Sequence, residues 1–166
     1  EPAMTIRLMV REEFPLFWPT FKSIIEAEET YAFSSSLTEA QAAQLWFDLP
    51  TETYVFMVDE QIAGSYYIKP NAAGPGDHVC NCGYMVNPQF LGRGIAAQLC
   101  EHSKQRAVEL GFQAMQFNSV VSTNTVAVKL WQKAGFNIIG TVPKAYRHKQ
   151  HGYVDTYVMY QWLTAE

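Results

Sequence analysis

Short stretches in which polar and apolar residues alternate recur along the chain, and they predict β-strands with one buried face. The first is Thr5-Ile6-Arg7-Leu8-Met9-Val10. Two later stretches flank the polar turn Asp59-Glu60-Gln61, an arrangement typical of an antiparallel hairpin. The predicted strands cover residues 5–10, 54–58, 62–68, 79–86, 114–121, 136–139 and 153–162.

Apolar residues at helical spacing predict helical regions between these strands. In the first region Pro15 and Pro19 interrupt the pattern, so one or two short helical pieces are expected. Thr38 and Gln41 have the spacing of a capping box at the start of the second region, and Leu49-Pro50 ends it. Gly111 follows the third region in the usual C′ position. The predicted helical regions are residues 14–25, 39–48, 92–110 and 125–133.

The order of these elements indicates the fold class. One strand is followed by helices, a hairpin, a strand, a helix, a strand, a helix and two final strands. This order predicts a mixed sheet covered by helices, which is an α/β architecture. No internal repeat or low-complexity segment marks a second unit. We therefore expect residues 1–166 to form one domain, as the chain length also favours.

The composition narrows the range of partners. Hydrophobic residues make up 48% of the 166, enough for a buried core without disulfides or a structural metal. A formal net charge of −4 argues against nucleic acid as the main partner. No apolar stretch reaches the roughly 20 residues of a membrane-spanning helix, and Glu1-Pro2-Ala3-Met4 lacks a signal-peptide pattern. We expect a cytoplasmic protein with three reduced cysteines, no membrane association and a small soluble partner.

A glycine-rich turn follows the predicted strand 79–86. In Gly92-Arg93-Gly94 the backbone can approach an anion closely, and the free amides at a helix start favour a phosphate group. An ordinary turn is the alternative. Gly92-x-Gly94-x-x-Ala97 also satisfies a dinucleotide fingerprint, but Phe117-Asn118-Ser119 stands where an acidic residue should grip the ribose. A Walker loop is excluded because no Gly-Lys-Ser/Thr follows.

The segment Gln89-x-x-Gly92-x-Gly94, followed by Asn124-x-x-Ala127-x-x-Leu130-Trp131-x-x-x-Gly135-Phe136, resembles two motifs of the GCN5-related N-acetyltransferase (GNAT) superfamily. The resemblance implies a mixed, mostly antiparallel sheet in which two parallel strands, 79–86 and 113–119, splay apart. It also implies acetyl-CoA as co-substrate, with its pantetheine arm paired to β-strand backbone, and a homodimer. The cofactor-binding residues that it implies are Val86, Leu91, Gly92, Arg93, Gly94, Ile95, Ala96, Asn124 and Trp131.

The chain departs from the superfamily pattern at two positions. Trp131 stands where many relatives have the tyrosine that protonates the departing CoA thiolate, and an indole cannot be that acid. We interpret Trp131 as packing beside the cofactor. No acid is required at this position, because a thiol with a pKa of about 8.5 can leave as the thiolate with little help. Residues 78–86 contain no carboxylate for the general base that relatives often carry there.

Asn81 and Asn118 lie in the two strands that are expected to splay, where a buried amide requires a partner. The segments 64–71, 78–86 and 117–124 resemble fungal N-acetyltransferases that act on proline analogues. In that group an asparagine at the position of Asn81 is thought to hold and polarise the substrate, and the resemblance implies a supporting role for Asn118. The alternative is an amide that only bridges the strands.

Two further groups of side chains allow more than one interpretation. Tyr31 and Phe33 fall where superfamily members form the wall of the substrate pocket, and packing against the sheet explains them equally well. His78-x-Cys80-x-Cys82 offers three alternating ligands along one strand with no fourth, so no metal site is expected.

The expected activity is transfer of the acetyl group of acetyl-CoA to the primary or secondary amine of a small metabolite, an amino acid or analogue. The amine attacks directly, without a covalent acyl-enzyme. Asn81 and Asn118 are the candidate catalytic residues, and Tyr31, Phe33 and Asn81 are the candidate substrate-binding residues. One alternative is an acetyltransferase for protein or peptide amino termini. The other is a non-catalytic acetyl-CoA sensor, suggested by the missing tyrosine and glutamate.

Overall fold

A computed structural model describes residues 3–165, and Glu1, Pro2 and Glu166 lie outside it. The expectation about the amino terminus rests partly on Glu1 and Pro2 and so falls outside the described residues. The strands are β1 (Met4–Leu8), β2 (Glu52–Val58), β3 (Gln61–Pro70), β4 (Val79–Val86), β5 (Ala114–Val121), β6 (Asn137–His148) and β7 (Gly152–Trp162). The helices are α1 (Phe14–Ala27), α2 (Glu39–Ala43), α3 (Ile95–Glu109) and α4 (Thr125–Lys133).

All seven strands belong to one sheet in the order β1-β2-β3-β4-β5-β7-β6. Among the strands of residues 3–165, only β4 and β5 are paired in parallel, and every other neighbouring pair is antiparallel. The expected α/β fold, with a mostly antiparallel sheet flanked by helices, is therefore confirmed. The predicted bounds of β4, β5 and α4 agree with the structure residue by residue. Within residues 3–165 no helix has the length and apolar character needed to cross a bilayer.

Of the one or two short helical pieces expected, a single one forms, and at 14 residues α1 is longer than expected because it continues through Pro19. Pro15 lies in the first turn, where its missing amide hydrogen bond costs nothing, and only Pro19 lies inside the helix. Phe14, Phe17 and Phe21 are buried on either side of Pro19. Because these side chains anchor both halves of the helix to the sheet, packing outweighs the single hydrogen bond that Pro19 removes.

The capping box at the start of α2 forms as predicted. The Thr38 hydroxyl accepts from the Gln41 amide at 3.2 Å, and the Gln41 side chain accepts from the Thr38 amide at 3.0 Å. The predicted helix 39–48 changes character halfway, because Gln44–Asp48 forms a π-helical turn. Within that turn Trp46 is fully buried and donates its indole hydrogen to Ser65 at 2.9 Å.

Helix α3 begins at Ile95, three residues later than predicted from Gly92. Gly92 and Gly94 have φ angles of +78° and +74°, which a right-handed helix does not admit. These two glycines therefore keep the chain in a turn, and Gly94 becomes the N-cap of the helix. Gly111, with φ of +93°, ends α3 in the left-handed conformation expected of a C′ residue.

The sheet is covered on both faces. Helices α3 and α4 pack on one face, where Leu99 and Trp131 join a core with residues of β2 to β5. Helices α1 and α2 and the π-helical turn pack on the other face, where Phe17 and Trp46 contact β2, β3 and β4. β4 is thus buried between two helical layers, and the end of its pairing with β5 lies between the same layers.

Candidate active site

The two parallel strands at the centre of the sheet separate soon after they meet. β4 and β5 are paired only at Val79 with Ala114 and at Cys80 with Met115. Beyond these pairs β4 remains bonded to β3, whereas β5 remains bonded to β7. A gap therefore lies between their carboxyl-terminal halves, as expected for the splayed pair.

The side chain of Asn81 spans this gap on the face covered by α1. Its Nδ2 donates to the main-chain oxygen of Gln116 at 3.0 Å, and its Oδ1 accepts from the Tyr67 hydroxyl at 2.9 Å. Asn81 is only 7% exposed. The amide thus links β4 to β5 just beyond the last main-chain pair. Because an amide has two hydrogens and two lone pairs, one donor and one acceptor remain for a ligand in the gap.

Asn118 lies at the surface, so the expectation that it is a buried amide is wrong. The pairing of β5 with β7 shifts between Phe117 and Val120, and this bulge turns Asn118 out of the sheet. Its Oδ1 accepts from the Gln116 side chain at 3.0 Å, and its Nδ2 donates to Oδ1 of Asn71 at 2.7 Å. Asn118 therefore joins β5 to the loop after β3 at the rim of the gap.

Tyr31 and Phe33 form an aromatic wall next to Asn81. Their rings stack with centroids 5.3 Å apart, and Tyr31 meets the edge of Trp46 at 6.0 Å. The Tyr31 hydroxyl lies against Gly83, where a Cβ would stand only 2.5 Å from the oxygen. Burial of this hydroxyl raises the pKa of Tyr31. Both rings are half-buried, so they pack against the α1 layer and keep one surface open.

The hairpin of β6 and β7 holds the aromatic wall from the far end of the chain. The Tyr146 hydroxyl donates to the main-chain oxygen of Tyr31 at 3.0 Å, across a separation of 115 residues. The amide of Lys149 donates to the main-chain oxygen of Glu28 at 3.1 Å. The loop between α1 and α2 is therefore held at two points, at Glu28 next to the end of α1 and at Tyr31 in the aromatic wall.

Tyr67 is a site residue that the sequence analysis missed. It lies on β3 directly opposite Gly83, and its hydroxyl positions the Asn81 amide. Burial raises the pKa of Tyr67, so this phenol stays protonated and acts as a donor. The alternation of side chains along β3 could have indicated Tyr67, because it places Ser65, Tyr67 and Lys69 on the same face of the sheet. Without the register against β4, their proximity to Asn81 could not be predicted.

The turn before α3 presents its backbone to solvent. Gly92 and Gly94 have no side chain to cover it, and Leu91 is 66% exposed. The first bond inside α3 runs from the Gln98 amide to the Gly94 oxygen at 3.1 Å, so the earlier helical amides lack an intrahelical acceptor. Arg93 points back over the Phe90 ring at 4.9 Å. Ile95 is buried and Ala96 half-buried, which leaves their amides, rather than their side chains, for a ligand.

The remaining residues of the predicted cofactor set lie on β4 and α4. Asn124 caps α4, where its Oδ1 accepts from the Ala127 amide at 3.3 Å. Val86 ends β4 opposite Gly64. Trp131 packs between Tyr84 and Phe117, with ring centroids 4.9 and 5.1 Å away. Trp131 is therefore a buried side chain of this core, and its expected place beside the cofactor stays a prediction.

The cysteines and His78 form no metal site in the described part of the chain. Cys80, Cys82 and Cys100 are free and buried. Nδ1 of His78 lies 3.1 Å from the main-chain oxygen of Pro75. Among residues 3–165 no three His, Cys, Asp or Glu side chains are placed to hold a metal ion.

Comparison with known proteins places the chain among acetyltransferases. Residues 14–136 match the family described as Acetyltransferase (GNAT) family. The chain is 32% identical over 155 residues to the N-acetyltransferase aca1 of Schizosaccharomyces pombe, covering 83% of this chain and 74% of that protein.

Solved structures agree with the fold. A GCN5-related N-acetyltransferase from Kribbella flavida superposes with a TM-score of 0.92 at 43% identity, over 97% of this chain and 98% of that one. A GNAT superfamily phosphinothricin acetyltransferase from Sinorhizobium meliloti, in complex with AcCoA, has a TM-score of 0.86 at 18% identity, over 96% and 88% of the two chains. At that identity the second likeness shows the fold alone.

Proposed function

Because this chain belongs to the acetyltransferase (GNAT) family, and is therefore an acetyl-CoA-dependent N-acetyltransferase, we propose that its acceptor is the primary or secondary amine of a small metabolite. The acceptor that we infer is an amino acid or an amino-acid analogue. The observation that carries this proposal is the gap between β4 and β5, spanned by the neutral Asn81 amide and flanked by an aromatic wall. Residues 1–166 act in this proposal as one catalytic domain.

The turn before α3 and the gap between the strands suit acetyl-CoA, which supplies an activated acetyl thioester when bound. The amides that open α3 would hold its diphosphate, since glycines at positions 92 and 94 leave room for an anion. Val86 would pair with the pantetheine arm, and Trp131 would pack against it. Asn124 is occupied as the cap of α4 but keeps its Nδ2 donors. The proposed cofactor-binding residues are Val86, Leu91, Gly92, Arg93, Gly94, Ile95, Ala96, Asn124 and Trp131.

On the face of the sheet covered by α1, Asn81 would orient the acceptor amine. Its free lone pair can accept from the amine, while its second Nδ2 hydrogen can donate to the carbonyl oxygen under attack. The amine nitrogen forms a bond to the carbonyl carbon, the bond to sulfur breaks, and the amine proton passes to water. Asn118 would hold the rim of the gap, and Tyr31 and Phe33 would exclude water from one side. Alignment and stabilisation of the oxyanion supply most of the acceleration.

The departing thiolate receives no proton from a tyrosine in this proposal. Trp131 occupies the place of that acid and cannot serve as one. The nearby Tyr84 lies 2.6 Å from the Ser103 hydroxyl, which itself donates to the Cys100 oxygen, so the Tyr84 hydrogen is already used in the core. A thiol with a pKa of about 8.5 is a good enough leaving group to depart as the anion.

The pH dependence of the reaction should follow the acceptor. Tyr31 and Tyr67 have raised pKa values and stay protonated, so neither can take the amine proton near neutral pH. Only the neutral form of the amine attacks. We expect kcat/KM to rise about tenfold per pH unit below the amine pKa and to level off above it. Acceptors of different pKa, assayed from pH 6 to 10, should show shifted profiles; one common inflection for all of them would indicate a general base on the protein.

Replacing Asn81 with alanine should lower kcat/KM by about 100-fold, the loss typical of removing one donor to an oxyanion. The affinity for acetyl-CoA should change little, because the cofactor is held mainly from the other face. The same change leaves the Gln116 oxygen and the Tyr67 hydroxyl without a partner, which should lower the free energy of unfolding by about 2 kcal/mol.

Two controls separate catalysis from folding. Tyr67→Phe removes the bond to Oδ1 but leaves the Asn81 amide in place, so a loss of about tenfold or less in kcat/KM is expected. Asn137→Ala alters an exposed asparagine at the start of β6 and should match the wild type. If Asn81→Ala kept full kcat/KM at a temperature where it is folded, Asn81 would only bridge the strands.

The proposed function is tested by an acceptor panel with detection of released CoA. The panel contains free amino acids, cyclic secondary amino acids, simple amines without a carboxylate, and peptides with free amino termini. Turnover with free amino acids and poor turnover with peptides would support the proposal. Turnover with peptides alone would make the chain an amino-terminal acetyltransferase, and tight binding of acetyl-CoA without any turnover would make it a sensor.

A further inference from the structure

Lys69 places a cation beside the proposed acceptor site. It lies on β3 directly opposite Asn81 in the β3–β4 ladder, so the two side chains share the face covered by α1. Lys69 is half-buried, and its Nζ stands 5.4 Å from the centroid of the Tyr67 ring, the same ring whose hydroxyl bonds to Asn81. The ammonium group is therefore held at the edge of the site rather than extended into solvent.

The surroundings of Lys69 offer no acidic partner. Among residues 3–165 no carboxylate lies within 4.0 Å of its Nζ, although the chain has 16 acidic side chains. The side-chain amides at this edge of the gap are neutral: Asn118 donates to Asn71, and Asn81 accepts from the Tyr67 hydroxyl. A half-buried ammonium among neutral groups is stabilised by an anion, and the described residues place none within 4.0 Å of this one.

We infer that Lys69 binds the carboxylate of the acceptor and so selects amines that carry one. This inference rests on the proposed function and names the substrate class within it. Nζ of Lys69 lies 5.4 Å from the centroid of the Tyr67 ring, and the hydroxyl of that ring lies 2.9 Å from Oδ1 of Asn81, so a single aromatic ring separates the cation from the amide. An amine at Asn81 and a carboxylate at Lys69 are therefore separated by a distance that an α- or β-amino acid can span. The Lys69 stem and the aromatic wall of Tyr31 and Phe33 would enclose the acceptor side chain.

The test compares an amino acid with its primary carboxamide, which has the same shape but no negative charge. The acceptor is the best amino acid from the panel. Lys69→Met keeps the length of the side chain and removes the charge, so kcat/KM for the amino acid should fall at least 30-fold. For the carboxamide it should stay within threefold of the wild type. Lys69→Arg should retain most of the preference for the acid, because the charge remains.

The control variant is Lys22→Met, which removes an exposed lysine of α1. It should leave kcat/KM for both acceptors unchanged, and thermal melting of every variant should report intact folding. The two acceptors are compared by the kcat/KM of the neutral amine, since the carboxamide lowers the amine pKa; a wild type with equal values for the carboxamide and the acid would overturn the inference. Equal losses for both acceptors in Lys69→Met would also overturn it, since they indicate a structural role. Either result leaves the proposed function standing, whereas absence of turnover with every small amine refutes both.

Discussion

Aspartate in place of Gly92 is expected to weaken the binding of acetyl-CoA at least 100-fold, about 2.7 kcal/mol. The residue has φ of +78° and nothing within 4 Å of the position of a Cβ, so a side chain fits there without a clash. Aspartate tolerates this left-handed conformation better than most residues, which limits the damage to folding. Its carboxylate would, however, stand beside the proposed diphosphate and repel it. Isothermal titration calorimetry with acetyl-CoA measures the effect.

Gly152 provides a matched control for this variant. It has φ of +71° and an equally empty surrounding, but it lies at the start of β7. Gly152→Asp therefore introduces the same backbone strain and the same charge away from the turn before α3. We expect it to bind acetyl-CoA as the wild type does. Equal weakening in both variants, or none in Gly92→Asp, would mean that the turn does not hold the diphosphate.

Alanine in place of Gly83 is expected to cost about 3 kcal/mol of folding free energy, the upper range for overpacking a core, and to lower kcat/KM about 100-fold. A Cβ at this position would lie 2.5 Å from the Tyr31 hydroxyl and 2.9 Å from Cζ of Tyr67. Tyr67 cannot move away easily, since its ring packs on Trp46 at 5.0 Å. The methyl group would therefore displace the aromatic wall and the hydroxyl that positions Asn81. Chemical denaturation and steady-state kinetics measure the two losses.

Two further variants test whether the losses in Gly83→Ala come from contact of the added methyl group with the two tyrosines. Gly140→Ala adds a methyl group to β6, where nothing lies within 4 Å, and should leave both stability and activity unchanged. Tyr31→Phe in the Gly83→Ala background removes one of the two clashing groups and should recover part of the stability. A Gly83→Ala protein as stable and active as the wild type would show that the wall adapts to the added volume.

Much of the fold followed from local patterns, and the exceptions have physical causes. The capping box at Thr38 and the C′ glycine at Gly111 depend on neighbouring residues only, so they could be predicted. The continuity of α1 through Pro19 depends on aromatic packing against the sheet, which no local pattern records. The late start of α3 depends on the φ angles that Gly92 and Gly94 adopt, and glycine admits either sign.

The roles of the residues in the candidate site stay predictions, and the sequence could indicate a position there only where the residue type itself was informative. Asn81 could be singled out because an amide in a buried strand is unusual. The same argument failed for Asn118, since a bulge in β5 turns it to the surface. Tyr67 and Lys69 reach the site through the register of β3 against β4, which depends on both strands and their turn. The homodimer that the superfamily resemblance implies stays a prediction.

The hydrogen bonds from Tyr146 to Tyr31 and from Lys149 to Glu28 connect the last hairpin of the chain to the loop between α1 and α2. In the proposed function the middle of the sequence binds acetyl-CoA, whereas the aromatic wall beside the acceptor is held in place by the last hairpin of the chain. Substitutions at Tyr146 are therefore expected to alter the choice of acceptor and to leave the affinity for acetyl-CoA unchanged, whereas β7 itself must stay in place as an inner strand paired with β5.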